Sequence, residues 1–300
     1  VQAQRHHGRR PVQPSLGTGT DLASPTVATP PGGQPTVYFG VQDNGVTSGP
    51  VMAVDEASCS VNWSVDPYSR VSGSWNPTSF GVDANGEPLV FAGTADPDST
   101  AYALDANTGA KVWSDQNLSP SYADVGAGIT VSPPGTNGFA DGMVYYPGKD
   151  RILYAIDMTT GAVVWTFNYG KAVGSASSGG RSAAALAGNE LVFGTGNGVI
   201  AVNAVTGTEI WSSTKTVGTD TEVLSSPLIT GPPGDQVVVY GDLQGKVIVL
   251  SLATGQELYS FQTDGYIVGS AADSAGNILI TSSDGSVYDF GLGGTSDASF

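Results

Sequence analysis

The residues able to do chemistry are few and poorly placed for it. His6 and His7 both sit in the basic run RHHGRRP, and the rest of the chain holds no histidine. A Ser-His-Asp triad in the body is thereby excluded, and so is a His-based zinc or iron site. Cys59 is the single cysteine, which rules out an intramolecular disulfide, Cys-based zinc binding and c-type haem attachment. Carboxylates number 27, but glycoside hydrolysis needs two at a set separation, and the sequence singles out no pair. Asp43-Asn44 and Asp96-Pro97-Asp98 offer oxygen ligands of the kind calcium takes. No D-x-D-x-D-G loop with a distant Glu surrounds them, so hydrogen bonding within turns is the better reading. No catalytic residue and no metal site is expected.

A second set of residues suits binding rather than reaction. Tyr68, Arg70, Trp75, Tyr122, Tyr169, Lys171, Arg181 and Tyr266 fall in long connecting segments. Aromatic residues beside Arg and Lys are what interface anchors use. The competing reading is that these aromatics pack the loops against the body.

The elements that must position them are repeats. YALDANTGAKVW (Tyr102 to Trp113) returns as YAIDMTTGAVVW (Tyr154 to Trp165) and IAVNAVTGTEIW (Ile200 to Trp211), and more loosely as VLSLATGQELY (Val249 to Tyr259) and MAVDEASCSVNW (Met52 to Trp63). The anchor aromatics Trp63, Trp113, Trp165, Trp211 and Tyr259 are separated by 50, 52, 46 and 48 residues. Each copy reads as two strands joined by a tight turn, in which Gly109, Gly161, Gly207 or Gly255 supplies the positive φ. Two further strands precede it, such as SPLIT (Ser226 to Thr230) and VVVYG (Val237 to Gly241). Four strands per repeat of this length predict a β-propeller of four-stranded antiparallel blades. Six units are recognisable, the last ending at VYDF (Val287 to Phe290) without a fourth strand. Ring closure then requires a strand borrowed from the N-terminal side, or the six units belong to a larger ring of seven or eight blades. Residues 1–22, with Pro11, Pro14 and a Gly/Thr run, read as a tail, residues 23–292 as the propeller and 293–300 as a C-terminal tail.

Composition narrows the partners. A formal charge of −16 argues against nucleic acid and anionic membranes. No apolar run reaches the ~20 residues of a membrane helix. The chain opens at Val1 without a basic start and an apolar stretch, so no signal peptide is expected within it. Few lysines among many Ser, Thr and Gly suit an extracytoplasmic surface, periplasmic or secreted.

The alternation of SPxV, VYFG, a DG-type turn and YALDxxTGxxxW resembles the pyrroloquinoline-quinone-like β-propeller repeat across about residues 24–292. That family includes an outer-membrane assembly lipoprotein and quinoprotein alcohol dehydrogenases. The resemblance implies that the five anchor aromatics wedge neighbouring blades together, and it is specific for fold rather than function. The dehydrogenases carry an adjacent Cys-Cys pair, a catalytic Asp and a calcium cage; this chain has no Cys-Cys and no alignable acidic cluster. The expectation is a non-catalytic, extracytoplasmic scaffold without cofactor, presenting one loop face to a protein or extended ligand. A quinone- and calcium-dependent dehydrogenase is the alternative, and a carbohydrate-active propeller a distant third.

Overall fold

The computed structural model describes residues 24–42, 48–68, 72–74, 76–94, 98–116, 125–170, 181–214, 222–274 and 276–291. Blade 1 is built from β1 (Thr26–Ala28), β2 (Thr36–Gly40), β3 (Val51–Asp55) and β4 (Val61–Val65). Blade 2 is β5 (Ser79–Val82), β6 (Pro88–Gly93), β7 (Thr100–Asp105) and β8 (Lys111–Gln116). Blade 3 is β9 (Thr130–Ser132), β10 (Met143–Pro147), β11 (Ile152–Asp157) and β12 (Val163–Asn168). Blade 4 is β13 (Ala185–Ala187), β14 (Glu190–Thr195), β15 (Gly198–Asn203) and β16 (Glu209–Thr214). Blade 5 is β17 (Leu228–Thr230), β18 (Val237–Gly241), β19 (Lys246–Ser251) and β20 (Glu257–Gln262). Blade 6 holds β21 (Ala272–Ser274), β22 (Asn277–Thr281) and β23 (Val287–Gly291). Each sheet is antiparallel and pairs in chain order, the arrangement of a β-propeller.

First strands touch in succession from β1 through β5, β9, β13 and β17 to β21, and so line the axis. Among the described residues no comparable contact returns from β21 to β1. The borrowed strand expected to complete blade 6 is likewise not found among the described residues.

The second and third strands of a blade have both faces covered, which is why they read as unbroken apolar runs rather than alternating ones. Leu89, Phe91 and Ala103 pack forward with Trp113 against Val144, Tyr146 and Ile156 of the next blade. Val90, Tyr102 and Leu104 pack backward against Tyr38 and Trp63. Alternation along a strand thus hands successive side chains to the two neighbouring blades.

In four of the five joints the anchor is a tryptophan lying on the turn glycine of the following blade. Trp113 is 8% exposed, and its Nε1 donates to the Met158 carbonyl at 2.8 Å. Gly161, at φ 74°, leaves so little room that a Cβ there would stand 2.7 Å from Trp113 Cγ. Trp63, Trp165 and Trp211 donate in the same way to Ala106, Ala204 and Leu252 at 2.9, 3.2 and 2.6 Å. They lie against Gly109, Gly207 and Gly255 respectively. Tyr259 differs: it is 48% exposed and meets Phe290 edge-on at 6.4 Å.

In blades 1–4 the tryptophan's pairing partner on the third strand is an alanine, Ala53, Ala103, Ala155 or Ala201, and in blade 5 Val249 stands opposite Tyr259. The register slips just past each of these pairs. This is a β-bulge that throws the residue before the aromatic outward. Val112, Val164, Ile210 and Leu258 occupy that place and are 41–56% exposed.

Candidate functional site

Loops from a fourth strand to the next first strand share one end of the molecule with the turns between second and third strands. Of the residues that sequence reading assigned to this loop face, Arg70, Trp75, Tyr122 and Lys171 lie outside the described residues. Those that remain do not behave alike. Tyr169 is fully buried. Its hydroxyl donates to the Gly148 carbonyl at 2.6 Å and its ring meets Phe193 edge-on at 5.2 Å. It packs the loop and presents nothing to solvent, which corrects its placing on a binding face. Tyr68 is half-buried, its ring edge-on to Tyr102 at 5.7 Å. Arg181 is exposed.

Tyr266 is the aromatic that stands out, at 54% exposure, with Val268 at 47%. Between them Ile267 is wholly buried. Its backbone N–H donates to the Asp242 carbonyl at 3.0 Å, and a Cβ on Gly241 would come within 2.2 Å of its Cγ2. The Ser283 N–H also donates to the Tyr266 carbonyl at 3.0 Å. The loop is therefore pinned by an isoleucine wedge, and alternation points the side chains on either side of it into water. An exposed aromatic on a fixed backbone is preordered for contact.

The carboxylates on this end are engaged in holding turns. Asp98 is 3% exposed and accepts from Tyr102 Oη at 2.6 Å and Thr94 Oγ1 at 3.0 Å. Asp150 accepts from Tyr154 Oη at 2.6 Å, and Asp284 from Tyr288 Oη at 2.8 Å. An Asp in the turn and a Tyr four residues on thus recur in three blades, a spacing visible in the sequence. Among the described residues no group of three or more His, Cys, Asp or Glu could hold a metal.

One carboxylate bridges blades. Asp115 on β8 accepts from Tyr146 Oη of β10 at 2.8 Å, and Tyr146 stacks on Tyr154 with centroids 5.0 Å apart and planes 16° from parallel. Burial raises the Asp115 carboxyl above the ordinary Asp value, and the Tyr146 hydrogen bond only partly opposes it. Burial, and then the Asp115 charge, push the Tyr146 phenol well up. A carboxyl raised in the fold favours the folded state below its unfolded pKa, and that gain is lost as pH climbs through the folded value. Asp115→Asn keeps an acceptor for Tyr146 and removes the buried charge. The variant is expected to have a higher urea midpoint than the parent at pH 7 and an equal one near pH 3. Titrating the midpoint of both proteins checks this, and an advantage that grows toward acid would contradict it.

Among the described residues, cavities open on the opposite end, under the joints. One of about 210 Å³ between blades 1 and 2 is lined by Gln34, Thr36, Tyr38, Asp55 and Asn107 among others. The other, about 140 Å³, lies between blades 4 and 5 beside Glu190, Gln236 and Leu252. Burial raises the Glu190 carboxyl. Both are smaller than the ~300–1,000 Å³ of ordinary small-molecule pockets.

A family model described as outer membrane protein assembly factor BamB matches residues 47–293. The fold is similar to BamB from Moraxella catarrhalis, with 20% identity over 92% of this chain and 73% of that one, at a TM-score of 0.62. It is also similar to the computationally designed Ika8 protein, with 17% identity over 90% and 70% and a TM-score of 0.62. Quinohemoprotein alcohol dehydrogenase from Comamonas testosteroni is similar at 13% identity and a TM-score of 0.66, over 91% of this chain and 56% of its own. No curated protein matches. No helix among the described residues is long and apolar enough to cross a membrane. The family match spans most of the sequence, and together with the six antiparallel blades it shows that the chain belongs to the outer membrane protein assembly factor BamB family.

Proposed function

We propose that the protein is a non-catalytic scaffold, working outside the cytoplasm, that binds another protein or an extended ligand on its loop face. The observation that carries this is the Tyr266–Val268 loop, whose exposed side chains are held on a backbone fixed by Ile267. Family membership supports it, because the family's description names an assembly factor. So does the composition: a charge of −16 favours a protein partner over nucleic acid.

Tyr266→Ala combined with Val268→Ala tests the reading. Both side chains are about half exposed, so folding should be untouched, and the loss falls on association. Crosslinking in a cell-envelope extract followed by pull-down is expected to recover a defined partner with the parent and at least tenfold less with the double variant, as interface anchors do. Full recovery with the double variant would remove this loop from the binding face. Reduction of a dye by alcohols, after loading with the quinone and calcium, would instead favour the dehydrogenase.

A further inference from the structure

One position of the second strand decides how well each joint is filled at the end away from the loop face. It is the residue that pairs with the last residue of the third strand: Thr36 with Asp55, Leu89 with Asp105, Met143 with Asp157 and Glu190 with Asn203. Leu89 and Met143 are fully buried there. They share clusters with Met158 and Ala204 of the following blades, the residues whose carbonyls accept the tryptophan N–H. Thr36 and Glu190 take the same place in blades 1 and 4, and the cavities open under those two joints. A short or charged side chain does not fill the space that Leu or Met fills.

At the joint between blades 4 and 5 the result is a carboxylate without a counterpart. Glu190 Oε2 is buried, and no group among the described residues donates to it. A buried charge of this kind is unfavourable until a cationic donor meets it. The strands around the cavity bring none. Lys215 is the only Lys or Arg between Arg181 and Lys246, and Thr214 before it pairs with Gly198, at the other end of blade 4 from Glu190. Lys246 opens β19 at the end away from Leu252 and is engaged with Glu257 at 3.1 Å. Asp235, exposed in the turn beside Gln236, adds negative charge near the opening.

Size and lining narrow the chemistry further. Glu190 and Gln236 offer acceptor oxygens, while Leu252 and Ala253 offer apolar wall. The volume of about 140 Å³ suits about five heavy atoms, at about 30 Å³ for each water-sized one. An aliphatic stem of four carbons ending in an ammonium has that size and that division into apolar and charged parts. We propose that this cavity is a seat for an alkylammonium group, with Glu190 as its counter-ion. A free aliphatic amine and a lysine side chain of another protein share that chemistry. The seat lies at the end opposite the loop face, so the Tyr266 and Val268 variants leave it intact and the two readings fail separately.

The test follows the NMR signals of the full chain during titration with butylammonium and, separately, with 1-butanol, which has the same length and no charge. Butylammonium is expected to shift the signals of Glu190, Gln236, Leu252 and Ala253 and to bind about tenfold or more tightly than the alcohol. Glu190→Gln keeps the shape and removes the charge, so the preference should fall to about unity. Its urea midpoint should equal or exceed the parent's, which separates loss of binding from loss of fold. Capped tripeptides with Lys or norleucine at the centre distinguish the sources. A Lys peptide that moves the same signals assigns the seat to a protein's lysine, and response to butylammonium alone assigns it to a free amine. Equal binding of amine and alcohol, an unchanged preference in Glu190→Gln, or no shift at these residues with any probe would each overturn the proposal.

Discussion

Trp113→Ala is expected to lower the stability of the protein by about 3–5 kcal/mol, the usual cost of removing a large buried aromatic. The indole fills the joint between blades 2 and 3, tilted against Phe91 at 5.9 Å, and its N–H satisfies the Met158 carbonyl. Truncation leaves a cavity and also strips that buried carbonyl of its donor. Tyr259→Ala is the matched comparison. It sits at the same repeat position, but nearly half its surface is already in water, and its loss should cost about 1 kcal/mol or less. Urea midpoints of the two variants, measured side by side, decide the matter. Equal losses would mean that the aromatic in the repeat contributes through its own blade and not through the joint.

The partner half of the joint gives the second large effect. Gly161→Val places a β-branched side chain at φ 74° and drives its Cβ to within 2.7 Å of the Trp113 ring. Left-handed backbone alone costs such a residue about 1–2 kcal/mol, and overpacking adds about 1–3 kcal/mol, so a total near 3 kcal/mol is expected. Coupling separates the two contributions. In the Trp113→Ala background the steric part should vanish and only the backbone part persist, so the double variant is less destabilised than the sum of the singles. Strict additivity would show that ring and glycine do not act on each other. Cys59 illustrates the backbone part in nature's own hand: it occupies the corresponding turn of blade 1 at φ 57°.

How far this was legible depends on the range of each interaction. The blade plan was readable because strand alternation and turn chemistry are local, and five aromatics at near-constant spacing exposed the repeat. The joint itself was not. Trp63 rests on Gly109 and Trp113 on Gly161, each glycine belonging to the next copy of the motif, so inspecting one copy suggests only a hairpin. First strands were located, but they are shorter than SPTVA and SPLIT suggest, three residues each at β1 and β17. The loop face was the least legible part. Tyr169 and Tyr266 follow the fourth strands of their blades in similar sequence surroundings, yet one is sealed beneath Gly148 and the other stands in water. What separates them is whether a neighbouring wedge such as Ile267 takes the inward place, and that depends on contacts far along the chain.

The inner strands touch only in sequence, β1 to β21, without a comparable return contact among the described residues. Along that succession the described blades are joined neighbour to neighbour. Each joint then adds its own share to the stability of the described blades. The joints are unequal, and the one between blades 5 and 6 carries a half-exposed tyrosine where the others carry an indole. That joint is the one expected to open first, and faster hydrogen exchange in β22 than in β6 or β14 would show it.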